Sequence, residues 1–180
     1  MSGAAGPGAP EAPVSYFVAS FLPEDAATRL ARLGVRLPPG VAPVPAAHLH
    51  LTWRSFEGLP HGLLAPLKEG LAAVATRHGP VRVELLGGGV FPAGAVWARV
   101  SPKPAVSALQ AEIDTLLRAL GLPGAGWPFV PHITLGQGPP GTRTPAVLHD
   151  LSARLTLSDF ALTTTGQQPY RVVRHFPLAG

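Results

Sequence analysis

His48-Leu49-His50-Leu51-Thr52-Trp53-Arg54 and Pro131-His132-Ile133-Thr134-Leu135-Gly136 are the two stretches on which the reading of this chain turns. Each alternates apolar and polar side chains, the period-two pattern of a strand with one buried face. Alternation puts His50 and Thr52 on one face and sends Leu49, Leu51 and Trp53 into a core. His132 and Thr134 share a face in the same way, with Ile133 and Leu135 buried. The same parity carries Arg54 to the face of His50. A His-x-Thr on a strand is therefore present twice, and what surrounds it decides whether the repetition matters.

Working outward, both stretches have the same neighbours. Residues 14–21 are β-branched and aromatic and read as a strand. Pro23-Glu24-Asp25 opens a helix that ends near Gly34. The first His-x-Thr strand covers about 48–54, and a long helix follows over about 60–78, closed by Gly79-Pro80. A strand at 81–86 runs into Gly87-Gly88-Gly89, which breaks the pattern. The second half repeats this order with a strand at 96–100, a helix at 105–120 stopped by Gly121, and the second His-x-Thr strand at 132–136. A short helix at 145–153, a strand at 155–165 and a last strand at 170–176 complete it. Strand–helix–strand–helix–strand thus recurs at an offset of about 82 residues, as a repeat of pattern rather than of sequence. Two similar lobes facing one another create a cleft, and a rough two-fold axis between them makes the two His/Thr faces meet there.

Composition bounds the chemistry. A chain of 180 residues, 46% hydrophobic and 13% charged, is sized for one domain with a real core and is not a disordered chain. Residues 1–13 are rich in Gly, Ala and Pro, lack the basic start and apolar run of a signal peptide, and read as a flexible tail on a cytoplasmic protein. No apolar run approaches the roughly 18 residues that a membrane span needs. Without cysteine there is no disulfide scaffold, no thiolate metal site and no thiol nucleophile. Only 10 acidic residues are present, with no His-Glu-x-x-His and no Asp-x-Asp, so the converging carboxylates of a two-metal centre are missing. There is no Gly-x-x-x-x-Gly-Lys-Ser/Thr loop and no Gly-x-Ser-x-Gly elbow. The expectation is chemistry without metal or other cofactor. The net charge of +4 permits an anionic ligand, and all but two of the 14 basic residues are arginine, whose fork suits phosphate.

Two imidazoles flanking one phosphorus centre meet that expectation. Imidazole titrates near pKa ~6.5, so one ring can accept a proton while the other, charged, donates one. The hydroxyls of Thr52 and Thr134 can hydrogen-bond the non-bridging oxygens.

The chain resembles the 2H phosphoesterases, and within them the bacterial RNA 2',3'-cyclic phosphodiesterases, also called 2'-5' RNA ligases. The resemblance covers nearly everything after the tail. It runs through Leu22-Pro23-Glu24, His50-Leu51-Thr52, Gly88-Gly89-Val90-Phe91-Pro92 before Val96-Trp97-Ala98, Pro128-Phe129-Val130-Pro131-His132-Ile133-Thr134-Leu135, Tyr170, and Phe176-Pro177-Leu178. It implies an α+β, bilobed, pseudo-two-fold fold over 14–180 with helices on the outer faces and the site between the lobes. It implies metal-independent opening of RNA-terminal 2',3'-cyclic phosphates to 2'-phosphates, with ATP-independent formation and reversal of 2'-5' linkages. His132 would be the general base and His50 the general acid. RNA 3' ends or 2',3'-cyclic nucleotides would be the partners of a monomeric protein. Phe129 resembles an aromatic that stacks on a nucleobase, with a core role as the alternative; Tyr170 would line the cleft.

Two positions depart from the family. The arginine often found five residues after the second histidine is Gln137 here, and the one often found before Pro-Phe is Trp127. Arg54, by parity, is the candidate replacement, the alternative being an exposed strand-end arginine. His48 reads as surface or as support for His50, and Trp53 and Trp97 as core. A 2H enzyme for a small nucleotide such as an ADP-ribose cyclic phosphate, or a non-catalytic RNA-end binding module, are the competing readings.

Overall fold

The computed structural model describes residues 14–124, 126, 128–165 and 170–179. The tail read at 1–13 and the departure at Trp127 lie outside the described residues. The elements follow in the order β1 (Ser15–Phe21), α1 (Glu24–Ala31), β2 (Ala42–Pro43), β3 (His50–Glu57), α2 (Leu64–Ala75), β4 (Val81–Val90) and β5 (Ala95–Val100). Then come α3 (Pro104–Ala119), β6 (His132–Gln137), β7 (Ser152–Leu157), β8 (Asp159–Thr164) and β9 (Arg171–Pro177).

Local chemistry accounts for most of these bounds. α1 starts after Pro23 with Glu24 and Asp25 in its first turn, where the helix dipole favours acids, and it buries Ala26, Ala27 and Leu30. α3 has Pro104 in its first turn, buries a stripe of Val106, Leu109, Ile113 and Leu117 at helical spacing, and stops before Gly121 at φ 73°. Three elements differ from the sequence expectation. The strand read at 155–165 is two strands, β7 and β8, which pair into different lobes. Residues 145–153 form only a 3-10 turn at Ala146–Leu148, and β7 begins at Ser152. From there Ala153, Leu155 and Leu157 alternate inward, so a period of two, not 3.6, governs the segment. Gly87-Gly88-Gly89 does not end its strand, which runs on to Val90 with a register shift between Leu85 and Gly88. A Cβ on Gly88 would collide with the Trp97 carbonyl oxygen, so glycine there permits close approach of two strands.

The sheet runs β7-β4-β5-β6-β3-β1-β8-β9, with β2 pairing to β6 off that path, and all pairings are antiparallel. It divides into two four-stranded lobes, β7-β4-β5-β6 and β3-β1-β8-β9, joined by the single pair Leu51–Ile133. These lobes are not the two halves of the chain. β4 leaves the first half to join the second lobe, and β8 and β9 leave the second half to join the first. The crossing interlocks the lobes, and one hydrophobic cluster containing Leu51, Trp53, Ile133 and Phe160 runs through both. α2 and α3 pack on each other, α3 against β3 and β4, α2 against β8 and β9. The expected α+β, two-lobed fold is the observed one. Among the described residues no helix is long and apolar enough to cross a membrane.

Candidate active site

The pair that joins the lobes is also the centre of the site. Leu51 and Ile133, the middle residues of the two His-x-Thr triplets, face each other across β3 and β6 and are fully buried. Antiparallel register then sets His50 across from Thr134 and Thr52 across from His132, all four on the face opposite the core. The histidines stand diagonally, two residues' rise and one strand spacing apart, or roughly 8 Å between Cα positions. That leaves room for one tetrahedral group between the rings. His50, Thr52 and His132 line one cavity of about 670 Å³ with Phe17, Ser55 and Tyr170. Its size is that of a small-ligand site.

The two rings are held alike. His50 Nδ1 lies 2.6 Å from the carbonyl oxygen of His48, and His132 Nδ1 lies 2.7 Å from that of Val130. A carbonyl only accepts, so each Nδ1 carries the hydrogen and each Nε2 is the atom left for chemistry. Their surroundings differ. His50 is enclosed by Phe17, Phe21 and Tyr170, with ring centroids at 5.1, 5.5 and 5.6 Å. That burial holds its pKa below the ordinary 6.5; the bond to the His48 carbonyl opposes the shift, and the nearby His132 and His48 rings add to it. His132 instead meets the stacked pair Phe91 and Trp97 edge-on, at 4.9 and 6.1 Å. Among the described residues no three His, Cys, Asp or Glu side chains cluster as a metal site would require.

A sequence model of the 2'-5' RNA ligase superfamily matches residues 22–168, which spans both His-x-Thr strands and the seam between them. The chain belongs to the 2'-5' RNA ligase superfamily. It is 32% identical over 180 residues to the RNA 2',3'-cyclic phosphodiesterase of Thermus thermophilus, covering 91% of this chain and 90% of that one. It is 29% identical to the RNA 2',3'-cyclic phosphodiesterase of Geobacillus stearothermophilus over 73% of this chain and 46% of that protein. Among solved structures, TT0787 of Thermus thermophilus superposes with a TM-score of 0.77 at 30% identity, covering 92% of this chain and 98% of that one. E. coli LigT complexed with 3'-AMP shares the fold, with a TM-score of 0.73 at 21% identity over 93% of this chain and 99% of that one.

Arg54 does not lie on the face that strand parity assigns it. β1 pairs Ala19 with Thr52 and Val18 with Arg54, so Trp53 is an extra residue and β3 carries a bulge. The bulge reverses the alternation beyond it. Arg54 joins Trp53 on the core side, and Ser55 takes the cleft side. The guanidinium pairs with Asp114 of α3 and donates through Nη2 to the Leu122 carbonyl at 3.2 Å. Arg54 is not an exposed strand end: its guanidinium is taken up by Asp114 and the Leu122 carbonyl beside a second opening that Thr52 and His132 also line. It clasps the loop that walls the cleft, and a Cβ on Gly124 would lie 2.6 Å from its Cζ. Burial alone would raise the Asp114 carboxyl, but Arg118 and Arg54 together hold it below its usual value. Asp114→Ala leaves a cation that is 8% exposed without its partner. The expected loss is about 3 kcal/mol of unfolding free energy by denaturant titration. A loss within ~0.5 kcal/mol would show the clasp to be dispensable.

β6 carries the matching bulge, since Trp97 pairs with Thr134 and Val96 with Gly136. Gln137 thereby sits where Ser55 sits in the other lobe. Its amide donates to the carbonyls of Ala93 and Gly138 at 2.8 and 2.9 Å, which fixes a turn. Tyr170 lines the cavity as expected, and Phe129 lies half-buried near Trp53 while lining a second opening with Thr52 and His132. His48 supports His50 through its carbonyl. Trp53 is core, its Nε1 donating to Ser20 Oγ at 2.9 Å. Trp97 is not core: it is half-buried on the cleft face beside His132. The sequence holds the signal for it, because Trp97 and Arg99 alternate with the buried Val96, Ala98 and Val100.

Proposed function

We propose that this superfamily member is a metal-independent RNA 2',3'-cyclic phosphodiesterase that opens terminal 2',3'-cyclic phosphates to 2'-phosphates. The observation that carries the reading is the seam register, which sets both His-x-Thr triplets side by side on one face with each Nδ1 tied to a carbonyl and each Nε2 left over. Two relatives named as RNA 2',3'-cyclic phosphodiesterases support the same substrate. In this mechanism the phosphate sits between the rings, its non-bridging oxygens accepting from Thr52 and Thr134. His132 Nε2 takes a proton from water as the oxygen–phosphorus bond forms. The bond from phosphorus to O3' breaks, and His50 gives its proton to O3'. A 5'-hydroxyl of a second strand in place of water gives a 2'-5' linkage without ATP, since the cyclic ester supplies the leaving group. Residues 14–180 act as one domain and as a monomer, on RNA ends in the cytoplasm.

Incubation with a 2',3'-cyclic mononucleotide and a cyclic-ended oligonucleotide, both in EDTA, should give 2'-phosphate products. Activity abolished by chelation and restored by a divalent ion contradicts the mechanism, and turnover of neither substrate returns the protein to a binding module. A second expectation concerns the acid. His50 is desolvated and neutral near neutral pH in the free protein, while a phosphate anion beside it favours the charged ring. Titrated by NMR, His50 should show a pKa below 6.5 alone and a higher one with a 3'-nucleotide bound. A value that stays put on binding would contradict phosphate contact at His50.

A further inference from the structure

The two-fold relation between the lobes fails at one pair of neighbours. The residue directly opposite His50 on β1 is Phe21, and the residue directly opposite His132 on β5 is Arg99. Antiparallel partners share a face, so Arg99 lies on the cleft side beside His132, where it is exposed. No carboxylate pairs with it among the described residues. Its Cζ stands 6.0 Å over the Trp97 ring, which in turn stacks on Phe91 at 5.0 Å. One histidine thus borders an apolar cup, the other a platform of two stacked rings with a free guanidinium.

β5 lies outside β6, one strand spacing or about 4.8 Å further from the seam. Arg99 is not among the residues lining the cavity that both histidines share. It is therefore placed for an anion next to the reacting phosphate, on the side from which the nucleophile enters. The nucleophile that brings both an anion and a flat ring is the 5'-hydroxyl end of an RNA strand. Its first base suits the aromatic platform, and its first phosphodiester suits a stacked, pre-oriented fork.

We infer that Arg99, over Trp97 and Phe91, is the binding determinant for the 5'-hydroxyl strand that replaces water in 2'-5' ligation. This rests on the phosphodiesterase reading above. The step balances without a co-reactant: His132 takes the 5'-hydroxyl proton, O5' bonds to phosphorus, the bond to O3' breaks, and His50 protonates O3'.

The test is competition between water and an acceptor for one cyclic-ended oligonucleotide, with a 5'-hydroxyl dinucleotide supplied in excess. The quantity read is the ratio of 2'-5'-joined product to hydrolysed product. Arg99→Ala should lower that ratio at least tenfold, and Arg99→Lys should recover part of it, keeping the charge but not the fork. The salt slope of log ratio should flatten by about 0.7, the value for one phosphate on a single strand. A ratio unchanged by Arg99→Ala, or a wild-type protein that hydrolyses but never joins, overturns the inference. A wild-type protein that does neither overturns the phosphodiesterase reading itself.

Discussion

Alanine at either His50 or His132 should lower kcat on a cyclic-ended RNA by at least about 10²-fold, the scale of one acid–base partner. KM should change less than kcat, because proton transfer is completed only in the transition state while other cleft residues still hold the bound substrate. The two losses should not multiply. In the proposed mechanism both imidazoles act on one phosphorus in one transition state, so once one proton transfer is gone the other loses most of its value. The double variant should fall within about tenfold of the poorer single variant. Losses that multiply would mean the rings serve separate steps. Folding is a small concern at both positions, since the ladder that fixes the seam runs through Leu51 and Ile133 rather than through the histidine side chains.

Thr52→Val and Thr134→Val should each cost about 10²-fold in kcat, the range for one donor aimed at developing charge. Valine keeps the β-branched shape and removes only the hydroxyl, so β3 and β6 retain their strand preference. Serine at either position should restore most of the rate. The register sharpens this expectation: Thr52 lies across from His132 and Thr134 across from His50, so in the proposed mechanism each hydroxyl shares the phosphate with the opposite ring. A rise in KM with kcat intact would assign the hydroxyls to ground-state binding alone.

The His-x-Thr triplets were legible in the sequence because a strand period of two needs only five or six residues to declare a face. The pseudo-symmetry was legible for the same reason over β1 to β6, but not at 145–165, where the expected helix and single strand are a 3-10 turn and two strands. The exchange of β4 for β8 and β9 between lobes was not, since pairing partners far apart in the chain leave no local trace. Arg54 shows where parity reasoning stops. A single extra residue at Trp53 turns its side chain from cleft to core, and bulges have no reliable signature in an apolar run. Its partner Asp114 looks in the sequence like any exposed helical acid. Arg99 was missed for the opposite reason: its alternation with Ala98 and Val100 was plain, but its value comes from lying opposite His132, a neighbour 33 positions away that only the register of β5 on β6 supplies.

In the proposed mechanism two histidines divide the labour on one phosphorus, and a change of leaving group separates their roles. Sulfur in place of the 3'-oxygen of the cyclic phosphate gives a leaving group that needs little protonation. The variant lacking the acid should then regain most of its rate, and the variant lacking the base should not. This substrate should rescue His50→Ala and leave His132→Ala impaired. Rescue of His132→Ala alone would reverse the assignment, and an equal response of both variants would contradict the division itself.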